Sequence, residues 1–298
     1  MRVLIYGSGV IGSLYAALLS EMEVEVSMFS RGKRLNDLQS HGLRYKKNNE
    51  IRKAKVTVIS KLRDEDNYDF ILLAVKENQL RIALEELKTN ISPNIVTMVN
   101  SLKTRDELEL ICGKGRIIQA FPGAGGGFDG EVLDAELTPR IVQTTTMGMT
   151  DGHEKKLLKL FKSAKIPCQI VKDMHAWQIC HLAMVVPIAD AYYESDNPKR
   201  AGYDRNLMKN TANQIKRNLS ELRLKQVELT PTKMKVIRLI PTSILGAVLG
   251  FVFRSSFGDK FMYRHSMKAP DEMRILHDKF YSYIECNENR KIPRAPCR

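Results

Sequence analysis

"RVLIYGSGVIGSLYAALLSE", residues 2–21, decides the fold of this chain. "RVLIY" is a short apolar run with strand character. It leads directly into Gly7-Ser8-Gly9-Val10-Ile11-Gly12, and the residues that follow carry apolar side chains at helical spacing. GxGxxG by itself is a weak signal. Between a strand and a helix it is the fingerprint of a dinucleotide-binding turn. Gly7 allows the tight turn, Gly9 lets a pyrophosphate approach the backbone, and Gly12 lets the helix pack close to the sheet. Free N–H groups and a positive dipole at the helix start suit phosphate. Gly7 to Gly12 are therefore the expected cofactor loop.

The end of the second strand selects the cofactor. "EVEVSMF", residues 23–29, is followed by Ser30-Arg31-Gly32-Lys33-Arg34. A site for NAD places Asp or Glu there, and a site for NADP places Arg. The stretch holds three cations and no acid. A guanidinium grips a phosphate with paired hydrogen bonds. NADP(H) is the expected cofactor, with Arg31 at its 2′-phosphate.

Further strands are expected at 55–60, 69–75, 94–99 and 116–121, with helical patterns such as "NQLRIALEELK" between them. Such alternation implies a mostly parallel, doubly wound sheet, whose ligands lie beyond the carboxyl ends of the strands. Lys76 and Asn100 each follow such a strand and fall at that end. The glycine-rich "FPGAGGGFDGEV", residues 121–132, reads as a loop, and "EVLDAELTPRIVQTTTMG" after it as a β-hairpin.

From Asp173 onward strand signals nearly vanish, and four long segments carry helical periodicity or helix-length apolar runs. The expected fold class is α/β: a Rossmann-type domain over 1–172, then an all-α domain over 173–298 for substrate and dimerisation. Substrates commonly bind in the cleft between such halves. Within "AWQICHLAMVVPIADAYY", residues 176–193, an ionisable ring, His181, sits among apolar neighbours, either as a satisfied core residue or as a catalytic acid. Pro187 lies inside the same helix, where a kink is expected. "LIPTSILGAVLGFVF", residues 239–253, is shorter than the ~20 residues a bilayer span needs. It reads as a buried helix, within the monomer or at a homodimer contact.

The bulk numbers agree with a soluble enzyme. Hydrophobic residues make up 43% of the 298, an ordinary globular share. Nothing at the N-terminus resembles a signal peptide. The five cysteines at 112, 168, 180, 286 and 297 lack CxxC spacing, which fits free thiols in the cytoplasm. The six histidines show no metal-ligand spacing, so no metal is expected. The formal charge of +13 is dispersed and lacks the aromatic-studded basic motif of a nucleic-acid reader.

"GSGVIGSLYAALLSE", "SRGKRLNDLQSHGL", "DFILLAVKENQLRIALEEL" and "NIVTMVN" together resemble the ketopantoate reductase family. The resemblance implies a cytoplasmic, NADPH-dependent oxidoreductase acting on CH–OH groups, like the 2-dehydropantoate 2-reductase of pantothenate biosynthesis. It implies cofactor contacts at Gly7, Gly9, Gly12 and Arg31, and places Lys76 and Asn100 at the cofactor and active-site edge. The family's Asn-Gly is here Asn100-Ser101. The family's proton-donating lysine falls on His181, and the asparagines four and eight residues later fall on Val185 and Ala189. A glutamate that holds the substrate hydroxyl falls on Glu272, and a substrate-contacting serine falls near Lys260. His181, Glu272 and Asn100 are thus the expected catalytic set. The lost asparagines point to a small carbonyl or imine substrate more apolar than 2-dehydropantoate. The alternative is an NADP-binding sensor or partner-binding protein with an altered catalytic helix.

Overall fold

The computed structural model describes residues 1–286. Cys297 lies outside them. The main sheet has eight strands in the order β12-β11-β8-β7-β6-β1-β2-β5. These are β1 (Arg2–Tyr6), β2 (Glu25–Phe29), β5 (Thr57–Ile59), β6 (Phe70–Leu73), β7 (Ile95–Met98), β8 (Ile117–Phe121), β11 (Thr145–Gly148) and β12 (Cys168–Val171). From β5 to β8 every pairing is parallel, and β11 is antiparallel to β8. The parallel strands end along one edge.

Alternation along the strands covers both faces. Val3, Ile5, Val26, Met28 and Leu72 face α1 (Val10–Ser20), α2 (Gly32–His41) and α5 (His153–Ser163). Leu4, Tyr6, Phe29, Ile71 and Leu73 face α3 (Glu77–Glu86) and α4 (Arg105–Cys112). The sheet is doubly wound, as expected.

A second sheet of four strands, in the order β4-β3-β10-β9, packs on α1. It joins β3 (Arg44–Lys47), β4 (Glu50–Lys53), β9 (Ala124–Asp129) and β10 (Val132–Leu137). This corrects two expectations. The glycine-rich stretch is a strand, and β10 forms its hairpin with that strand rather than with a second segment within 131–148. A run of glycines is a poor strand in isolation. Here it is covered from the helical half. A Cβ on Gly125 would meet the Phe261 ring at 2.6 Å, and one on Gly127 would meet Lys268 Nζ at 1.9 Å.

The helical half has its own core. It comprises α6 (Met174–Glu194), α7 (Arg205–Leu224), α8 (Thr232–Leu239), α9 (Thr242–Phe253), α10 (Arg264–Lys268) and α11 (Pro270–Glu285). Helix α6 runs through Pro187 for 21 residues. The single helix expected over 239–253 is corrected. Pro241 separates α8 from α9, whose axes differ by 118°. Burial is also one-sided: Leu245, Gly246, Leu249, Gly250 and Phe253 face inward, while Ile244, Val248 and Phe251 are exposed. Among the described residues no single helix is long and apolar enough to cross a membrane.

Candidate active site

The cofactor loop follows β1. Gly7 has φ +115°, and a Cβ on it would lie 2.3 Å from the Ala74 carbonyl oxygen. A Cβ on Gly12 would lie 1.9 Å from the Gly7 oxygen, so both positions require glycine. Gly9 is different. Nothing lies within 4 Å of the place its Cβ would occupy. Its bare backbone faces open space at the start of α1, which no side chain caps. The first N–H groups of a helix have no intrahelical partner. Loop and helix start therefore form a cradle of donors that fits a pyrophosphate. Ser8 Oγ lies 2.6 Å from Ser30 Oγ, tying the loop to the end of β2.

No acid stands at the end of β2, but one arrives from another element. Glu86, the last residue of α3, accepts hydrogen bonds from the Arg31 guanidinium and the Tyr6 hydroxyl. Arg31 also donates to Tyr6 Oη at 3.2 Å and lies 4.7 Å over the Phe29 ring. Glu86 carries no local signal, because its meeting with Arg31 depends on strand order. Arg34, half-buried on α2, lies 4.4 Å over the Phe128 ring, and its Nε and one Nη are buried without a partner.

Lys76 is exposed at the start of α3, just beyond β6. Asn100 lies just beyond β7, and its side-chain oxygen is buried without a partner. Such an atom is costly unless something binds it. Helix α6 braces this turn: Gln178 Nε2 donates to the Val99 carbonyl at 2.9 Å. Gln178 had a signal in the sequence, as an amide three residues from His181 in an apolar run.

His181 stands beside the same edge. Trp177, His181 and Val185 follow one another at four-residue spacing along one face of α6. The His181 ring is 4.4 Å from Phe121, the last residue of β8, and stacks on Trp177 at 5.3 Å. It is half-buried. Burial pushes its pKa down to about 3, with His265 and Lys233 adding positive charge nearby. The imidazole is therefore neutral at pH 7, and the imidazolium acid suggested by an ordinary histidine pKa is not its resting form. Lys233, on α8, donates to the Val142 carbonyl and forms no ion pair among the described residues. Burial lowers its pKa. It lay outside the sequence reading because α8 carries several lysines and arginines of similar appearance.

Glu272 Oε1 accepts from the Glu77 backbone N–H at 3.1 Å, so Glu272 lies beside the start of α3. Lys260 pairs with Glu136 at 3.1 Å and Asp134 at 3.7 Å on β10. The edge thus gathers the glycine loop, Arg31, Lys76 and Asn100, with His181 against its β8 end and Glu272 beside Lys76. Among the described residues no cluster of His, Cys, Asp and Glu could hold a metal ion.

Comparison with known proteins agrees with this architecture. Residues 3–142 match the family model described as Ketopantoate reductase PanE/ApbA. A curated 2-dehydropantoate 2-reductase from Mesorhizobium japonicum is 28% identical over 138 residues. That match covers 45% of this chain and 38% of the relative's length. The fold resembles a D-mandelate dehydrogenase solved with NADH and anilino(oxo)acetate, at TM-score 0.63 and 14% identity over 96% of this chain and 98% of that one. It also resembles a PanE/ApbA family ketopantoate reductase from Ralstonia eutropha, at 0.61 and 16% over 96% and 99%. For 2-dehydropantoate 2-reductase from Methylococcus capsulatus the TM-score is 0.60, with 17% identity over 99% of both chains.

Proposed function

We propose that this chain, which carries a ketopantoate reductase domain in its first half and that family's fold throughout, is an NADPH-dependent oxidoreductase that reduces a 2-oxo acid or a related carbonyl or imine. The observation that carries the reading is the single sheet edge. An open Gly9 cradle, an unpaired Asn100 oxygen and the His181 ring all meet it. When bound, NADPH would supply the hydride. Gly7 to Gly12 would hold the pyrophosphate on backbone N–H groups, and Arg31 would take the 2′-phosphate, with Arg34 and Lys76 adding positive charge. Asn100 would orient the nicotinamide end.

Reduction of a carbonyl leaves an alkoxide oxygen that must gain a proton. His181, neutral, can donate an N–H hydrogen bond to that oxygen and fix its position. Lys233, exposed on α8, is the nearby cation, and partial desolvation lowers its pKa. Val185, next along the face from His181, and Trp177, stacked on its ring, make the surroundings of the imidazole apolar. A substrate with a hydrophobic substituent on the carbonyl carbon suits it better than a polyol.

The test is consumption of NADPH, followed by its absorbance, with a panel of 2-oxo acids and cyclic imines. Turnover with at least one branched or aromatic 2-oxo acid supports the reading. Tight NADPH binding with no turnover across the panel would replace it with the sensor, a reading favoured by the neutral His181 and the apolar Val185 and Ala189.

A further inference from the structure

We propose that Glu86 sets how far the site prefers NADPH over NADH, by holding Arg31 in an ion pair that the adenosine 2′-phosphate must open. The inference rests on the NADP(H) reading above. Glu86 is the last residue of α3, and its bonds to Tyr6, the last residue of β1, and to Arg31, just beyond β2, hold its carboxylate beside the carboxyl ends of those strands. Those ends are where the adenosine half of a dinucleotide lies in a sheet of this winding.

The group is closely knit. One carboxylate oxygen of Glu86 takes bonds from both Arg31 and Tyr6. The same Arg31 nitrogen reaches the Tyr6 hydroxyl at 3.2 Å. Phe29 lies under the guanidinium and stacks on Tyr6 at 4.6 Å, so the cation has a fixed floor. The pair is nonetheless open to a ligand, with the Arg31 side chain 59% exposed and that of Glu86 39% exposed. An exposed pair of this kind adds little to stability, so folding gives small reason for it. Both members stay charged. Burial pushes Glu86 upward, but the bonds from Arg31 and Tyr6 outweigh it and hold the carboxyl below its usual range.

Two consequences follow for an incoming nucleotide. A 2′-phosphate meets the guanidinium and, beside it, a carboxylate that repels it and already occupies a donor. Its gain is reduced. A ribose 2′-hydroxyl meets an acceptor for its proton, as it would at an acid on the second strand. Arg31 therefore favours NADPH, Glu86 favours NADH, and their pairing narrows the margin. No sequence rule that inspects the second strand alone would find the acid.

The experiment measures Kd for NADPH and NADH, by quenching of Trp177 fluorescence, in the unmutated protein and in Glu86→Gln, Glu86→Ala and Arg31→Ala. Melting temperatures confirm folding in each case. Both Glu86 variants are expected to tighten NADPH and to leave NADH unchanged or weaker, raising the NADPH preference about tenfold or more, the scale of one charge-assisted contact. Arg31→Ala is expected to weaken NADPH by at least about tenfold and spare NADH. If Arg31→Ala weakens NADPH but both Glu86 variants leave the ratio within about twofold, or lower it, the role given to Glu86 is wrong. If Arg31→Ala leaves NADPH binding unchanged, the NADPH assignment itself fails.

Discussion

Glu272 of α11 caps α3 from the opposite half of the molecule: its Oε1 lies 3.1 Å from the backbone nitrogen of Glu77, the first residue of that helix. A carboxylate there satisfies an orphan donor and faces the positive end of the helix dipole. Glu77 answers with its own side chain, which is buried and pairs with Lys279 of α11 at 2.6 Å. Glu272→Ala should therefore cost about 1–2 kcal/mol in denaturant unfolding. Glu272→Gln keeps an acceptor and should lose less than about 1 kcal/mol. If Glu272 also holds the substrate, Glu272→Gln will raise KM at nearly unchanged stability. An alanine variant as stable as the unmutated protein would refute the capping role.

His181 makes a prediction about acid. Its folded pKa is about 3, below the 6.5 of an unfolded histidine. Between these values the unfolded chain binds the extra proton, so stability falls as pH falls through that window. The slope from this residue is at most about 1.4 kcal/mol per pH unit, or about 2 kcal/mol between pH 6.5 and 5. His181→Leu should flatten the decline in urea midpoint over that range. Parallel curves for the two proteins would show that the ring is protonated in the folded state.

Lys233 is lowered by burial alone and forms no ion pair among the described residues. The side chain is exposed and donates to the Val142 carbonyl, so solvent screens most of the desolvation that lowers it. Lys233→Met should therefore change stability at pH 7 by no more than about 0.5 kcal/mol in either direction. Turnover should fall by about 10²-fold or more if the lysine supplies the proton. A fall in melting temperature together with unchanged turnover per folded molecule would make Lys233 a structural residue.

The glycines of β9 are unequal, and two alanine variants should show it. Gly126 has φ +140°, and a Cβ there would lie 2.4 Å from the Cα of Ala135 and the carbonyl oxygen of Asp134. Both obstacles are backbone. Gly126→Ala should cost about 2–4 kcal/mol through strain and displacement of β10. Gly127→Ala would meet Lys268 Nζ, the far end of a flexible chain, and should cost about 1 kcal/mol or less. Thermal melts would rank them, and the reverse order would contradict the register of this hairpin.

Much of the site was legible because its signals are local. Strand, GxGxxG and helix lie within twenty consecutive residues, and the end of a parallel strand locates Lys76 and Asn100 without knowledge of the rest. What escaped depends on distant packing. Glu86 reaches Arg31 only because β6, which leads into α3, lies beside β1, which lies beside β2. The β9 strand exists because Phe261 and Lys268 supply the cover its glycines lack. The β3–β4 hairpin carries too many lysines and arginines for an alternating pattern, although Asn48 and Asn49, both at positive φ, are the residues a tight hairpin turn favours. Helix α9 was legible only as apolar composition, which does not say which face is covered: Leu245 and Leu249 are buried, whereas Val248 and Phe251 are exposed.

The cover that Phe261 and Lys268 place on β9 bears on how this protein can be recombined. A chimera joined near residue 172, where the last strand ends and α6 begins, would give Gly125 and Gly127 a stranger's side chains to accommodate. Lys260 would also lose Asp134 and Glu136. The unit of exchange is therefore discontinuous in the chain. A transplanted helical half needs the β9–β10 hairpin to travel with it, as a matched socket, if the graft is to seat.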